Sequence, residues 1–260
     1  MIIIAVINEK GGVAKTTTAV NLAHGLARKN YRVLLADLDP QSNATAACGL
    51  NWREYEGRNV GEGLLTEDPF FDPYIVDLNH AGISILPATR GLRDVAHELA
   101  AQGNPIERVS DGLSKLENEY DFAILDLPPT LEILQEMAIE AADRFIIPLE
   151  LSAFAIDGFT ELIRHLAGRK RGAREWQFRI LLSKVEGFNP QTNIASLADL
   201  GPLSEYLLST VIRFNGKIPM SQREGQDIFT YAPQSRGARD FRKLIREIEE
   251  LWPAQMLQTK

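Results

Sequence analysis

The sequence predicts an α/β protein with a mostly parallel, doubly wound sheet flanked by helices. Three observations predict it. Short apolar runs rich in Ile, Val, Leu and Phe recur along the chain, helical segments separate them, and a Gly-Gly turn joins the first run directly to a helix.

Taken in order, the apolar runs are Ile2–Ile7, Arg32–Ala36, Ile83–Leu86, Phe122–Leu125, Phe145–Pro148 and Phe178–Leu182. They lack the polar alternation of a half-exposed strand, which points to strands covered on both faces. Lys15–Lys29 places Ala19, Leu22, Ala23 and Leu26 on one helical face, and Gly91–Gln102 does the same with Leu92, Val95, Ala96 and Leu99. The Gly-, Pro- and acid-rich stretch Asn51–Asn79 reads as a poorly ordered excursion with short helices. The last helix, Ala238–Trp252, carries Phe241, Leu244, Ile245, Ile248, Leu251 and Trp252 as an apolar stripe and stops at Pro253. Its polar face holds Glu247, Glu249 and Glu250 rather than the Lys and Arg of a membrane-lying helix, so it is expected to dock on the core. No repeat or Pro/Ser-rich linker interrupts the pattern, and residues 1–260 are read as one domain.

Bulk properties narrow the function classes. A chain of 260 residues with 45% hydrophobic and 24% charged content suits a globular domain. The single cysteine, Cys48, excludes a disulfide framework, a Cys-based zinc site and a cysteine-ligated cluster within one chain, and is expected to be a buried apolar residue. The opening MIIIAVINEKGG has no basic leader and too short an apolar run for a signal peptide. No apolar stretch approaches the ~20 residues of a membrane span. The expected setting is therefore the cytoplasm. A net charge of −7 advertises no global affinity for nucleic acid, so any DNA contact needs a local basic patch.

The chemistry starts at Glu9-Lys10-Gly11-Gly12-Val13-Ala14-Lys15-Thr16-Thr17, between the first strand and the first helix. The ordinary phosphate-loop pattern G-x-x-x-x-G-K-[ST] fails, because Glu9 and Ala14 stand at its glycines. Gly-Gly followed by Lys-Thr at the correct distance survives. Glycines let backbone N–H groups turn toward a phosphate, and the helix N-terminus adds partial positive charge. Lys15 is placed to reach β- and γ-phosphates, and the Thr16 hydroxyl to ligate Mg²⁺. Such a site needs acids, and two strands run into them: Arg32–Ala36 into Asp37-Leu38-Asp39-Pro40-Gln41, and Phe122–Leu125 into Asp126-Leu127-Pro128-Pro129. Alternation puts Asp37 and Asp39 on one side of an extended chain, and the carboxyl ends of parallel strands form the ligand crevice. Read singly, each Asp is equally well a strand-end or helix-capping carboxylate.

Lys10-Gly11-Gly12-Val13-Ala14-Lys15-Thr16 resembles the deviant Walker A motif, K-G-G-x-x-K-[ST], of the ParA/MinD branch of P-loop ATPases. The resemblance runs along the chain, through Ile83–Thr89 and Asp143–Pro148 to Thr210–Asn215 and Pro233–Ala238, where it is nearer the ParA/Soj type. It implies ATP/ADP and Mg²⁺ as ligands, and an ATP-bound homodimer in which Lys10 reaches the partner subunit's phosphates. It makes Asp39 the water-positioning residue, places Asp37 near the metal, and gives Asp126 the Walker B role of holding Mg²⁺. It suggests an adenine pocket around Ser183–Lys184 and Asn215–Pro219, with Asn215 and Lys217 among the nucleotide contacts. Arg213 and Phe214 stand where the family has Pro-Arg, and Met220 and Gln222 where an acid and a proline are common.

Members of this type bind DNA without sequence preference, which requires Lys and Arg facing phosphates. Arg213, Lys217, Arg223, Arg236, Arg239 and Arg242 are the leading set, with Arg169-Lys170-Arg171 and Arg174 as a second cluster. The family also implies a ParB-like or cargo-adaptor protein that stimulates a slow hydrolysis, and association with the nucleoid. The chain opens at its first strand, so the helix-turn-helix of larger plasmid relatives, and with it operator binding, is not expected. The competing readings are a positioning ATPase for a protein cargo, a MinD-like membrane-associated regulator, and a reductase like nitrogenase iron protein. The reductase needs a cysteine ligand set that Cys48 alone does not supply.

Overall fold

The computed structural model describes residues 1–260 apart from 79–81, 104, 131, 151–154, 169–176, 187–199 and 255–260. The Arg169–Arg171 and Arg174 cluster lies outside the described residues.

In chain order the elements begin β1 (Ile2–Val6), α1 (Lys15–Ala27), β2 (Val33–Asp37), α2 (Asn43–Ala47), α3 (Val60–Leu65), β3 (Val76–Leu78) and β4 (Ile83–Leu86). They continue α4 (Leu92–Gln102), α5 (Arg108–Ser114), β5 (Phe122–Asp126), α6 (Ile133–Ala141), β6 (Arg144–Leu149), α7 (Ala155–Gly168) and β7 (Gln177–Leu182). The chain closes with α8 (Lys217–Arg223), α9 (Ile228–Tyr231) and α10 (Arg236–Leu251). The seven strands form one sheet in the order β3-β4-β2-β5-β1-β6-β7. All neighbours are parallel except β3, which pairs antiparallel with β4.

Side chains alternate across this sheet. Ile4 and Val6 of β1 face α1, α2 and α10, while Ala5 and the following Ile7 face α3 to α7. The central strands β2 and β5 are buried at every position, which is why their sequences read as unbroken apolar runs. The C-terminal helix docks on the core through Phe241, Leu244, Ile245 and Ile248. It lies so close to α1 that a Cβ on Gly25 would sit 1.9 Å from Ile245 Cδ1. With that face covered, α10 has no apolar stripe left for a lipid surface. Among the described residues no helix is long and apolar enough to cross a membrane.

The 51–79 segment departs from expectation. Its short helices are present, but it also supplies the edge strand β3, and it is packed rather than loose: Val60, Leu64 and Phe71 are buried. Phe71 is wedged between Gly63 and Gly112 of α5, so a glycine that suggested disorder helps to seat an aromatic ring. Strand ends shift too. β2 and β5 extend one residue to include Asp37 and Asp126, which the register pairs side by side. Cys48 is buried, as expected, and burial pushes its thiol far above the ordinary range.

Candidate phosphate and metal site

Val6, Asp126 and Asp37 stand in line at the carboxyl ends of β1, β5 and β2. The 9–17 loop leaves β1 there and returns as α1. Gly12 takes φ +79°, which glycine adopts freely. Ala14 takes φ 74° and ψ 33° at the helix N-cap, so the position where the ordinary motif has glycine keeps the left-handed backbone without the glycine. That conformation costs an L-residue about 1 kcal/mol, a strain held at the mouth of the site. No side chain caps α1, so its first N–H groups are left for a ligand.

The loop is pinned from outside. Ser183, just past β7, donates its hydroxyl to the Val13 carbonyl at 2.9 Å. Asn8 donates to Pro148 O at 2.8 Å and accepts the Lys10 N–H at 2.9 Å. Lys15 Nζ donates back to the Lys10 carbonyl at 3.2 Å, which lays the nearly buried ammonium across the loop. Burial lowers its pKa, opposed by the charges of Asp126 and then Asp39. Lys10 itself is exposed at the rim.

The three acids differ in environment. Asp37 is fully buried and accepts from Thr45 twice, from the N–H at 2.8 Å and from the hydroxyl at 2.7 Å, both on Oδ2. Its Oδ1 accepts the Asp39 N–H at 3.1 Å. Burial pushes it up to about 7 despite those donors. Asp39 is raised by burial and held back by the Gln41 N–H, Lys15 and Arg93. Asp126 is fully buried, and among the described residues neither carboxylate oxygen accepts a hydrogen bond of ordinary geometry. Burial first and the Asp37 charge second raise it, and the nearby Thr16 hydroxyl opposes them. Two unsatisfied buried carboxylate oxygens beside a threonine hydroxyl are the environment a small, hard cation completes. Among the described residues no group of three or more His, Cys, Asp or Glu is arranged for a metal. That donor set suits Mg²⁺, which takes one or two carboxylates plus substrate phosphates, better than zinc.

In front of these groups lies a cleft of about 680 Å³. Gly11, Gly12, Ala14, Lys15, Thr16, Thr17 and Asp39 line it, together with Lys184, Arg213, Phe214, Asn215, Pro219 and Gln222. The structure thus brings together the loop, Asp39 and the two segments expected around a base, with Asp37 and Asp126 buried behind them. Not every expected contact lies in the lining. Val13 is buried against β7, and Lys217 starts α8 at the surface with its N–H on Asn215 Oδ1 at 2.9 Å. Among the lining residues absent from the sequence-based list, Phe214 and Gln222 stand out. Phe214, 54% exposed, offers an aromatic face, and Gln222 accepts the Thr17 hydroxyl at 3.0 Å, joining α8 to the loop. Both positions stood out in the sequence as departures from the family pattern. Glu9, at the other missing glycine, is raised by burial and by Glu161, with His165 opposing.

The basic set is dispersed. Arg213 is clamped to Asp240, its Nε 2.9 Å from Oδ2 with a second guanidinium contact to Oδ1, so its charge is already neutralised. Arg223 lines the cleft, and Arg242 donates to Pro233 O at 2.9 Å while lying over the Phe229 ring. Lys217, Arg236 and Arg239 are exposed.

Comparison with known proteins agrees with this geometry. Residues 1–175 match the family model described as an AAA domain. The chromosome partitioning protein ParA of Myxococcus xanthus is 33% identical over 258 residues, covering 95% of this chain and 87% of its own. The chromosome-partitioning ATPase Soj of Thermus thermophilus is 34% identical, covering 94% of each chain. In fold, the chain matches cobyrinic acid a,c-diamide synthase from Mycobacterium smegmatis, solved with a bound ATP analogue and magnesium, at a TM-score of 0.81 and 24% identity over the full length of both. That match speaks to the fold, whereas the partition relatives speak to ancestry: this chain belongs to the ParA/Soj family of AAA-domain partition proteins.

Proposed function

We propose that this chain is an ATP-hydrolysing molecular switch that, as an ATP-bound dimer, holds nonspecific duplex DNA of the nucleoid and releases it when a partner protein stimulates hydrolysis. The observation that carries the proposal is Asp126, fully buried at a strand end with no full hydrogen bond among the described residues, beside a loop whose lysine charge acts on it and whose helix N-terminus is uncapped.

In this reading the N–H groups of Gly11 to Thr17 and the Lys15 ammonium bind the phosphates, with the base lying toward Phe214, Asn215 and Pro219. Thr16 and Asp126 would hold Mg²⁺, with Asp37 behind them. When bound, the metal neutralises charge on the β- and γ-oxygens. Asp39, kept in reach by the Asp37 and Gln41 contacts, orients the attacking water. Lys10, at the rim, supplies positive charge to the partner subunit's nucleotide, an arginine-finger logic carried out by lysine. Lys217, Arg223, Arg236, Arg239 and Arg242 form the DNA-facing set. Arg213 keeps a minor part in it because Asp240 holds its guanidinium. Cargo choice rests with the partner, and the setting proposed is the cytoplasm, on the nucleoid.

The test is binding to nonspecific duplex DNA with ATP, with ADP and without nucleotide, across a salt series. Binding should require ATP, weaken steeply with salt, and vanish in Lys10→Ala. In Asp39→Ala, hydrolysis should fail while ATP-dependent DNA binding persists. DNA binding that ignores the nucleotide, or none in any state, would remove the proposal.

A further inference from the structure

We propose that Gln222 is a positioning residue that fixes the base-binding wall of the cleft against the phosphate loop, so that base and phosphates are held as one unit. The inference rests on the nucleotide reading above, in which the base lies toward Phe214, Asn215 and Pro219. The family commonly has proline at position 222, and a proline side chain neither donates nor accepts a hydrogen bond. The link made by Gln222 therefore belongs to this chain.

Thr17 stands in the first turn of α1 and Gln222 near the end of α8, and both line the cleft. The Thr17 hydroxyl donates to Gln222 Oε1 at 3.0 Å, across 205 residues of chain. A second tie starts from the same residue. Asn21, fully buried, donates to the Thr17 carbonyl at 2.8 Å, and its Oδ1 accepts the Ile228 N–H at 2.9 Å where α9 begins. The two ties differ in setting. Loss of Asn21 would strand two backbone groups in the core and cost the fold, whereas Gln222 is half-buried at the cleft and its loss costs the fold little.

What Gln222 holds is α8. Among the described residues the other hydrogen bonds of α8 close on itself and its flanking turns, as in the Lys217 and Ile218 N–H groups on Asn215 and the Ser221 hydroxyl on Ile218 O. Packing seats the helix near its two ends. A Cβ on Gly237 would lie 2.9 Å from Ile218 Cδ1, and one on Gly225, just past the helix, 2.5 Å from Gly49 Cα. Between those points Gln222 ties the helix to the loop. The loop is pinned independently, by Ser183, by Asn8 and by the Lys15–Lys10 contact. Cutting the Thr17–Gln222 bond therefore leaves the phosphate cradle in place and frees the wall. A ligand that touches both loses the benefit of a preformed cleft, and a ligand that touches the loop alone does not.

The experiment measures binding of ADP and of inorganic pyrophosphate, each with Mg²⁺, by isothermal titration calorimetry. It uses the full chain, Gln222→Met, Thr17→Val and the double variant. ADP carries the base and pyrophosphate does not. Gln222→Met, which keeps the side-chain length, should weaken ADP binding about tenfold and leave pyrophosphate within about twofold. In the Thr17→Val background the same substitution should change ADP affinity by less than about twofold, because the hydroxyl through which it acts is gone. Equal losses for both ligands would make Gln222 a merely structural residue. An undiminished loss in the Thr17→Val background would make it a direct contact of the nucleotide. Either result overturns the proposal, and so does unchanged ADP affinity in Gln222→Met. A parent protein that binds ADP no more tightly than pyrophosphate would instead overturn the base placement itself, and the inference with it.

Discussion

Two buried clusters in this molecule are made of similar side chains and behave as opposites. One is Asp37, Asp39 and Asp126 with Lys15 at the carboxyl ends of the central strands. The other is Asp227 with His24, Arg28 and Cys48 beneath α9. In the second, a cysteine, a histidine and an aspartate stand in sequence of contact: Cys48 Sγ is 3.8 Å from His24 Nε2, and His24 Nδ1 is 3.7 Å from Asp227. On composition alone that arrangement could be taken for nucleophilic machinery. Its environment denies it. Asp227 accepts from the Phe229 and Thr230 N–H groups, from the Thr230 hydroxyl at 2.6 Å and from Arg28 at 3.1 Å. Burial pushes its carboxyl up, but Thr230, His24 and Arg28 together bring it below the ordinary range. The strand-end acids are pushed up instead, and among the described residues neither Asp126 oxygen makes a full hydrogen bond, with only the Thr16 hydroxyl and the Lys15 charge acting against the rise. A satisfied buried acid holds a fold together, and an unsatisfied one is held by the fold for something that arrives later.

That contrast is sharpest in paired substitutions. Asp126→Asn should lower Mg²⁺-dependent ATP hydrolysis by about 100-fold or more and leave the unliganded protein as stable as before or more so, because it removes a poorly solvated charge. Asp227→Asn should do the converse: stability falls by about 3 kcal/mol and turnover, measured well below the melting temperature, stays near the parent value. Equal losses of stability in both variants would erase the distinction.

The next largest effect is on pH dependence without Mg²⁺. Asp37, near 7 in the folded state, stays protonated where the unfolded chain has already released its proton. The native state then binds more protons, so stability falls as pH rises from about 4 to about 7. Asp227 works the other way, contributing stability above the ordinary carboxylate value that is lost as pH falls through its lower folded pKa. Melting curves of the parent and Asp37→Asn should diverge as pH rises from about 4 to about 7, and those of the parent and Asp227→Asn should converge as pH falls below about 4, so that the two differences have opposite sign. Two differences of the same sign would refute the assignment.

Cys48 gives a smaller, kinetic signal. Its thiol should react with a thiol reagent only as fast as the protein opens, so labelling should accelerate with denaturant in step with unfolding. Rapid labelling of the native protein would mean that the His24 contact activates it after all. Smallest of all, Ala14→Gly should stabilise the protein by about 0.5 kcal/mol, relief of left-handed strain offset by glycine's entropy. A destabilised variant would show that Ala14 is not strained.

Much of this was legible before folding. Strands covered on both faces cannot alternate polar and apolar residues, so β1, β2, β4, β5, β6 and β7 stood out as apolar runs, and the glycine-lysine-threonine loop between strand and helix carried its own chemistry. β3 was hidden because an edge strand of three residues has no period to read, and Gly63 suggested looseness where, with Gly112, it seats Phe71. Arg213 counted as a free cation until Asp240, far along the chain, was found against it. The Thr17–Gln222 hydrogen bond joins segments 205 residues apart, and neither segment shows it by itself.

The sequence by itself determined six of the seven strands, the glycine-lysine-threonine loop between strand and helix, and the placing of three acids at or just past strand ends, because each follows from periodicity or spacing within a few residues. Only the tertiary structure decided which charges are paired. It set Asp37 beside Asp126 by strand register, gave the first two hydrogen bonds from Thr45, left both oxygens of the second without a full hydrogen bond among the described residues, and gave Asp227 its full set of partners. Pairing depends on contacts between distant segments, and in a medium of low dielectric those contacts decide whether a buried charge is structural or waits for its ligand.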